Sequence, residues 1–545
     1  MAVVVGLSSI GIVSAQDEAT LITLNGDSAE VAGTGAAVEG SIITISEAGT
    51  YTLSGTLNDG QVLVNAPEDA EVSLILNGVT ISSSTSAPIY AQSAAAVTVI
   101  LAEGSENSLS DAATYVYASA EEDEPDAALF SNVDLTIEGS GSLTVTANYA
   151  DGISTDDDLI ISGSPVITVN AVDDAIRGND SIDISGGVFA LNSTEGDGLK
   201  SSNEEASLIL INGGSYVINA GDDGVQSDFD FTMNAGELVI TAVGDGIHSE
   251  YNLTINDGSI NILNSEEGIE GGFIVINDGE IHIVSTDDGI NVSEPDNTTT
   301  TTETTVETTT EIAAAVPAEG QQGGFGNQPP GGMMGLGQGG MMGLGQSGMM
   351  APPGQGGMMQ GGFGTTSTSP YYLHINGGYI VVNAEGDGLD ANGSIEMTGG
   401  VVLVNGPTAF DNGAIDYDGT FEISGGLLVA TGSAGMAQAP SASSSQFSLL
   451  INYATAMGAN TLVHIQTSEG EEVLTFAPAK TFQSVVFSSP DLAQGVTYDI
   501  YYGGTSDGTA TDGLYADGTY TPGDLFSSVT ITDTVTGVGQ MGGMR

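Results

Sequence analysis

The sequence predicts an all-β fold: a right-handed parallel β-helix of about 22 residues per coil, with one long disordered insertion and a C-terminal antiparallel β cap. Three observations lead there. Acid-headed turns recur every 21 to 26 residues, as Asp151-Gly152-Ile153, Asp174-Ala175-Ile176, Asp197-Gly198-Leu199, Asp223-Gly224-Val225, Asp245-Gly246-Ile247, Glu267-Gly268-Ile269 and Asp288-Gly289-Ile290. A second turn series, Asn212-Gly213-Gly214, Asn234-Ala235-Gly236, Asn256-Asp257-Gly258 and Asn277-Asp278-Gly279, keeps the same step. Between the turns lie short β-branched runs such as SLILI and SYVINA, which alternate apolar with polar and carry no helical period. A three-strand unit of this size cannot bury its own apolar face, so units must stack, each strand pairing in parallel with its copy in the next coil. Parallel crossovers set the right hand. A propeller would need blades of roughly 40 residues and a sandwich would need hairpin turns, and the sequence has neither.

The elements follow in order. Residues 1–15 read as a partial signal peptide, an apolar run ending in Val13-Ser14-Ala15 but lacking a basic n-region, so the natural start is expected upstream. Residues 20–146 carry less regular strands that form the first coils and a cap, and residues 147–291 are the regular coils. Residues 292–369 are Thr/Glu-rich and then Gly/Met/Pro-rich, a composition that cannot pack a core and reads as a disordered insertion between coils. Its methionine pairs also admit a soft-metal reading, a thioether site for copper. Coils resume over residues 370–443, at Asn376-Gly377-Gly378 and Asp387-Gly388-Leu389, and residues 444–535 form the antiparallel cap.

Composition narrows the partners. Four Lys plus Arg against 71 Asp plus Glu give a formal net charge of −67. Such a surface repels nucleic acid and anionic membrane and admits cations, cationic partners or cation-bridged anions. Adaptation to saline water would account for the acidity but not for where the acids cluster. No cysteine is present, in keeping with an extracytoplasmic protein whose core is large enough without disulfides. No run is long and apolar enough to span a bilayer, so a secreted or surface-attached protein is expected, without membrane insertion.

Stacking turns the repeat into columns. The second residue after each turn acid is apolar and points inward, so the third points outward. That column runs Ser154, Arg177, Lys200, Gln226, His248, Glu270, Asn291, and the fifth residues include Asn179 and Ser202. Carboxylates stacked about 4.8 Å apart repel by about 0.9 kcal/mol per neighbour even at the dielectric of water. Calcium, which takes six to eight oxygens, suits that spacing. Doubled acids support it, because Ala150, Asp173, Gly196, Asp222, Gly244, Glu266 and Asp287 precede the turn acids in near alternation of neutral and acidic. The expected calcium ligands are Asp151, Asp173, Asp174, Glu195, Asp197, Asp222, Asp223, Asp245, Glu266, Glu267, Asp287, Asp288 and Asp387, with ions shared between adjacent coils. The competing reading takes Asp-Gly as turn chemistry alone, with Gly at positive φ.

GTYTLSGTLNDGQVLVNAPEDAEVSLILNGVTI, SAPIYAQSA, DEPDAALFSNVDLTIEGSGSLTVTANYADGIST, DDAIRGNDSIDISGG, GDGLKSSN and NGAIDYDGTFEISGG resemble the bacterial secreted carbohydrate-binding domain proteins over about residues 20–290 and 370–535. The resemblance implies a pectate-lyase-like right-handed β-helix with bound calcium, associated with cellulose and pectin binding. On the residues themselves, an acidic polysaccharide would meet Arg177 and Lys200 or turn calcium, with Gln226, His248, Asn179 and Ser202 bonding its hydroxyls. Tyr149, Tyr216 and Tyr251 are candidate stacking residues, and the absence of Trp argues against an aromatic cellulose platform. Two alternatives remain: a polysaccharide lyase using calcium and Arg177 or Lys200 as base, and a structural surface-layer or adhesin protein.

Overall fold

A computed structural model describes residues 19–117, 119, 123–203, 206–295 and 369–539. The expected signal peptide, the inserted segment over 296–368 and its methionine pairs lie outside the described residues. Among the described residues there is no helix. The chain winds as a parallel β-helix, each coil contributing strands to three parallel stacks. The 174 coil, named for its turn acid, shows the plan with Ile176–Gly178, Ser181–Ile184 and Val188–Ser193. In the 245 and 267 coils the first two strands run together as Ile247–Ile255 and Ile269–Ile276.

Burial follows the alternation read from the sequence. Ile153, Ile176, Leu199, Val225, Ile247, Ile269, Ile290 and Leu389 are each 0 % exposed and stack one above another, since each pairs with the next in parallel register. Burying a Val, Leu or Ile side chain contributes about 1.5–3 kcal/mol, so every added coil extends a continuous apolar rod. The stack passes across the insertion without a change of register: Ile290 pairs with Leu389, and Leu389 with Ile415.

The two turn series use glycine for different reasons. In the asparagine series, Gly214, Gly236, Gly258, Gly279 and Gly378 all have positive φ, where only glycine is unstrained. Their asparagines form an outer amide ladder, Asn234 donating to Asn212, Asn256 to Asn234 and Asn277 to Asn256, each at 2.8 Å, and Asn376 to Asn277 at 2.9 Å. In the acid-headed series, Gly152, Gly198, Gly224, Gly246, Gly268, Gly289 and Gly388 do not have positive φ. A Cβ on each would come closer than 3.0 Å to a carbonyl of the following coil. This corrects the expectation of positive φ at Asp-Gly: close approach between coils demands the glycine.

The first coils begin with antiparallel pairs, Thr20–Gly26 with Ala29–Ala32 and Ala36–Glu39 with Ile42–Ile45. At the C-terminal end, Leu427–Gly432 pairs antiparallel with Phe482–Ser488, which ends parallel growth. A separate six-stranded sheet, with Val463–Thr467 at its centre, packs over a second core that includes Leu403, Val429, Phe476 and Tyr498. The cap covers the outward residues Val381 and Leu403, which explains why the sequence is apolar on both faces there.

Candidate cation site

The acid-headed turns build a carboxylate ladder. The Oδ1 of a turn aspartate accepts the backbone N–H of the turn residue in the next coil, whereas Glu267 accepts from the Asn291 side chain instead. Asp174 N donates to Asp151 at 3.1 Å, Asp197 N to Asp174 at 2.8 Å, Asp223 N to Asp197 at 2.8 Å, Asp245 N to Asp223 at 2.7 Å and Glu267 N to Asp245 at 3.0 Å. Across the insertion Asp387 N donates to Asp288 at 2.5 Å, and Gly413 N then donates to Asp387. One oxygen of each of these aspartates is therefore occupied by the backbone, which leaves the other for a cation, as Lys200 Nζ shows at Asp197. Both earlier readings missed this role: the carboxylate is a splint between coils, and Asp suits it by being short enough to reach the next turn.

The second oxygens are unevenly satisfied: Asp197 Oδ2 takes Lys200 Nζ, whereas Asp151 Oδ2 is buried with no hydrogen-bond partner. Asp151, Asp174, Asp197 and Asp223 are all under 9 % exposed. Burial, with Asp174 as the next cause, pushes the Asp197 carboxyl up to about 7. Burial and then Asp223 push Asp245 up to about 8, and burial and then Glu270 push Glu267 up to about 9. Asp390 rises to about 7 and Asp288 and Asp387 to about 6, burial again leading. Burial leads in every case and neighbouring carboxylates add to it, so the charged form of these acids is disfavoured along the row.

The expected outward column is present in register from Arg177 through Lys200, Gln226, His248 and Glu270 to Asn291, Asp390 continues it across the insertion, and Ser154 at its head is buried rather than exposed. Lys200 Nζ lies 2.7 Å from Asp197 Oδ2 and 4.0 Å from Asp174 Oδ2. Burial alone would lower its pKa, but Asp174 and Asp197 outweigh burial and raise it. Arg177 Nη1 is 3.9 Å from Asp151 Oδ2, while its Nε and Nη2 donate to Ser202 Oγ at 3.3 and 3.1 Å. Ser202 in turn donates to Asn179 Oδ1 at 3.2 Å. Four of the expected sugar-contacting residues thus share one half-buried patch with the acids. His248 Nδ1 lies 3.6 Å from Asp223 Oδ2 and 4.0 Å from Asp245 Oδ2.

The candidate metal ligands do not all converge. Among the described residues, ligand atoms come within 4.8 Å of one another in Asp151–Asp173–Asp174, Asp197–Asp222–Asp223, Asp245–Glu267–Glu270, Asp288–Asp387–Asp390 and Asp223–Asp245–His248. Glu195, Glu266 and Asp287 are exposed and fall in none of these groups. Glu270 and Asp390 join, although neither was among the expected ligands. Applying the three-residue offset of Lys200 to Asp387 would have found Asp390. Asp126 was hidden, because it occupies the pre-turn column of a coil with Ala127 at the turn position.

The donor set fits a hard cation on three observations. Asp151 Oδ2 is buried with no hydrogen-bond partner, as are Asp126 Oδ1 and Asn291 Oδ1. All the groups except the one holding His248 offer only carboxylate oxygen, the chemistry of calcium rather than of a soft metal. The doubled acids also sit over glycines: a Cβ at Gly196 would come closer than 3.0 Å to Oδ1 of both Asp173 and Asp174. Gly244 stands in the same relation to Asp222 and Asp223, and Gly386 to Asp287 and Asp288. That is the physical reason for much of the neutral–acidic alternation.

Of the aromatic candidates, Tyr216 is excluded as a sugar platform. It is 0 % exposed, stacked on Phe189 at 4.6 Å, and its hydroxyl donates to Gly213 O. Tyr149 stacks on the buried Tyr115 at 4.4 Å, and Tyr251 meets Phe229 at 4.6 Å.

The model of the family described as carbohydrate-binding domain-containing protein matches residues 39–289 and 235–320, together slightly more than half of the chain. The chain belongs to that family. A carbohydrate-binding domain-containing protein of Acetivibrio thermocellus is 46 % identical to this family member over 129 residues, 24 % of this chain and 45 % of the relative. The match therefore spans less than half of that curated relative's length. A solved structure described as the polysaccharide lyase-like protein from C. thermocellum, a gadolinium derivative, is 36 % identical, with a TM-score of 0.43, covering 44 % of this carbohydrate-binding domain-containing chain and 96 % of its own.

Proposed function

We propose that this protein binds acidic polysaccharide, pectin- or polygalacturonate-like, in a calcium-dependent manner, outside the cell or at its surface. Membership of the carbohydrate-binding domain family supports polysaccharide as the partner. The observation that carries the rest is the run of part-buried, converging carboxylates beside Arg177 and Lys200, with Asp151 Oδ2 left without a hydrogen-bond partner. The converging groups Asp151–Asp173–Asp174, Asp197–Asp222–Asp223, Asp245–Glu267–Glu270 and Asp288–Asp387–Asp390 would hold the ions. Bound calcium would neutralise the ladder and offer positive charge to a uronate carboxylate. Arg177 adds a half-exposed guanidinium, and Ser202 and Asn179 supply hydroxyl and amide groups beside it.

The same geometry weighs against Lys200 as the base of a lyase. An ammonium 2.7 Å from Asp197, with its pKa raised, holds its proton and is unsuited to removing one. Binding of soluble polygalacturonate, measured with calcium and with excess chelator alongside the absorbance of unsaturated product, tests the proposal. Calcium-dependent binding with no product is the expected result. Binding that ignores chelation refutes the calcium requirement, and product formation returns the chain to the enzymes.

A further inference from the structure

The gaps between successive coils are of two kinds, and the kinds alternate. In the 174/197 gap, Lys200 Nζ reaches both turn acids. In the 223/245 gap, His248 Nδ1 stands between Asp223 and Asp245. In the 267/288 gap, Asn291 Nδ2 donates to Glu267 Oε2 at 2.8 Å and to Glu270 Oε1 at 3.3 Å. Each of these gaps carries a nitrogen of its own. The intervening gaps, 151/174, 197/223, 245/267 and 288/387, are where the all-carboxylate groups lie. The outward residues that face the last three are Gln226, Glu270 and Asp390, none of them cationic. Arg177 faces the first, yet its Nε and Nη2 are turned to Ser202 and only Nη1 approaches Asp151.

Two orphaned oxygens, one at each end of the ladder, point to what is missing. Asp151 is 2 % exposed, its Oδ2 has no hydrogen-bond partner, and it lies in the 151/174 group. Asn291 is 8 % exposed and stacks between Glu270 and Asp390. Its Nδ2 is spent on Glu267 and Glu270, and its Oδ1 is left buried without a hydrogen-bond partner in a column whose next member is Asp390. Turning the amide over would only place its oxygen against Glu267 and Glu270. A buried amide oxygen without a donor is a ready ligand for an oxygen-seeking cation.

We propose that the ladder is a two-coil repeat in which alternate gaps each take one oxygen-seeking divalent cation, while Lys200, His248 and Asn291 close the gaps between and keep ions out of them. This rests on the reading of the ladder as a calcium site and adds its stoichiometry and register. The ions would form a row with a step of two coils, roughly 10 Å. That separation limits repulsion between them, which adjacent gaps at about 4.8 Å would not.

The test is a count of calcium by equilibrium dialysis with elemental analysis on the full chain, with crystals in calcium read by anomalous scattering to place the ions. Four ions in the alternate gaps are expected, falling to three in Asp222→Asn and in Asp390→Asn and remaining four in Lys200→Gln. Circular dichroism establishes that each variant is folded, and the wild-type ion positions decide the question if one is not. Ions in consecutive gaps, or a count that falls in Lys200→Gln, overturn the alternation while leaving a calcium ladder. No bound calcium at all overturns the ladder reading itself.

Discussion

The Oδ1 atom of Asp174 accepts the backbone N–H of Asp197 at 2.8 Å, and the Oδ2 atom of Asp197 meets Lys200 Nζ at 2.7 Å. Asp197 is 0 % exposed, so its carboxylate is held by one cation and one peptide group and by little water. Lys200, one of four basic residues in the chain, therefore balances a buried charge. Removing it strands that charge. Lys200→Met is expected to lower stability by about 3 kcal/mol, the size associated with breaking a buried pair. Lys200→Met combined with Asp197→Asn recovers most of the loss. Urea unfolding of the two single variants and the double variant measures the coupling, and additive effects would sink the prediction.

Chelation should lower the melting temperature. With no ions, the carboxylates that converge in the 151/174, 197/223, 245/267 and 288/387 gaps are left to repel one another, and ligand-linked stability is lost. Differential scanning calorimetry in low salt, with calcium and with excess EDTA, checks it. Identical traces would count against a cation in the ladder.

Gly196→Ala should destabilise the coils although its φ suits any residue, because its Cβ would press on Oδ1 of Asp173 and Asp174. A loss of about 1–3 kcal/mol is expected, the range for an overpacked site. Asp173→Ala in the same chain should relieve part of it. Gly104→Ala is the contrast: its Cβ would meet nothing within 4 Å, and its cost arises only from positive φ. If Asp173→Ala gives Gly196→Ala no relief, the crowding argument is wrong.

The cap should respond to acid through His464. This side chain is 1 % exposed, Nδ1 meeting Thr475 Oγ1 at 2.7 Å and the ring stacking on Tyr520 at 3.9 Å. Burial holds its imidazole below the ordinary value of 6.5, so the unfolded chain binds this proton more readily than the folded one. The group's contribution is therefore constant above about pH 6.5, and stability falls as pH drops below it toward the lowered folded value. His464→Gln should be less stable at pH 7.5 yet lose less on going to pH 5. Thermal unfolding of both proteins at the two pH values decides it, and equal losses would show that the ring does not titrate on unfolding.

The sequence by itself determined the parallel β-helix, the coil length, the inward column from Ile153 to Ile290 and the outward column from Arg177 to Asn291. A strict repeat makes stacking the way to bury each unit's apolar face, and strand alternation then assigns every side chain a face. It also located the acid ladder and the neighbours Arg177 and Lys200. Only the tertiary structure decided which of the ladder's oxygens are spent on peptide groups. That depends on how far each turn stands from the next, a distance no single coil contains. The same inter-coil approach explains the acid-headed glycines, which local turn chemistry had assigned to positive φ, and it buries Tyr216 while leaving Arg177 half-exposed. Asp126 and Asp390 enter the site through stacking across an irregular coil and across the insertion, where separation in sequence says nothing of proximity because parallel pairing restores the register on the far side.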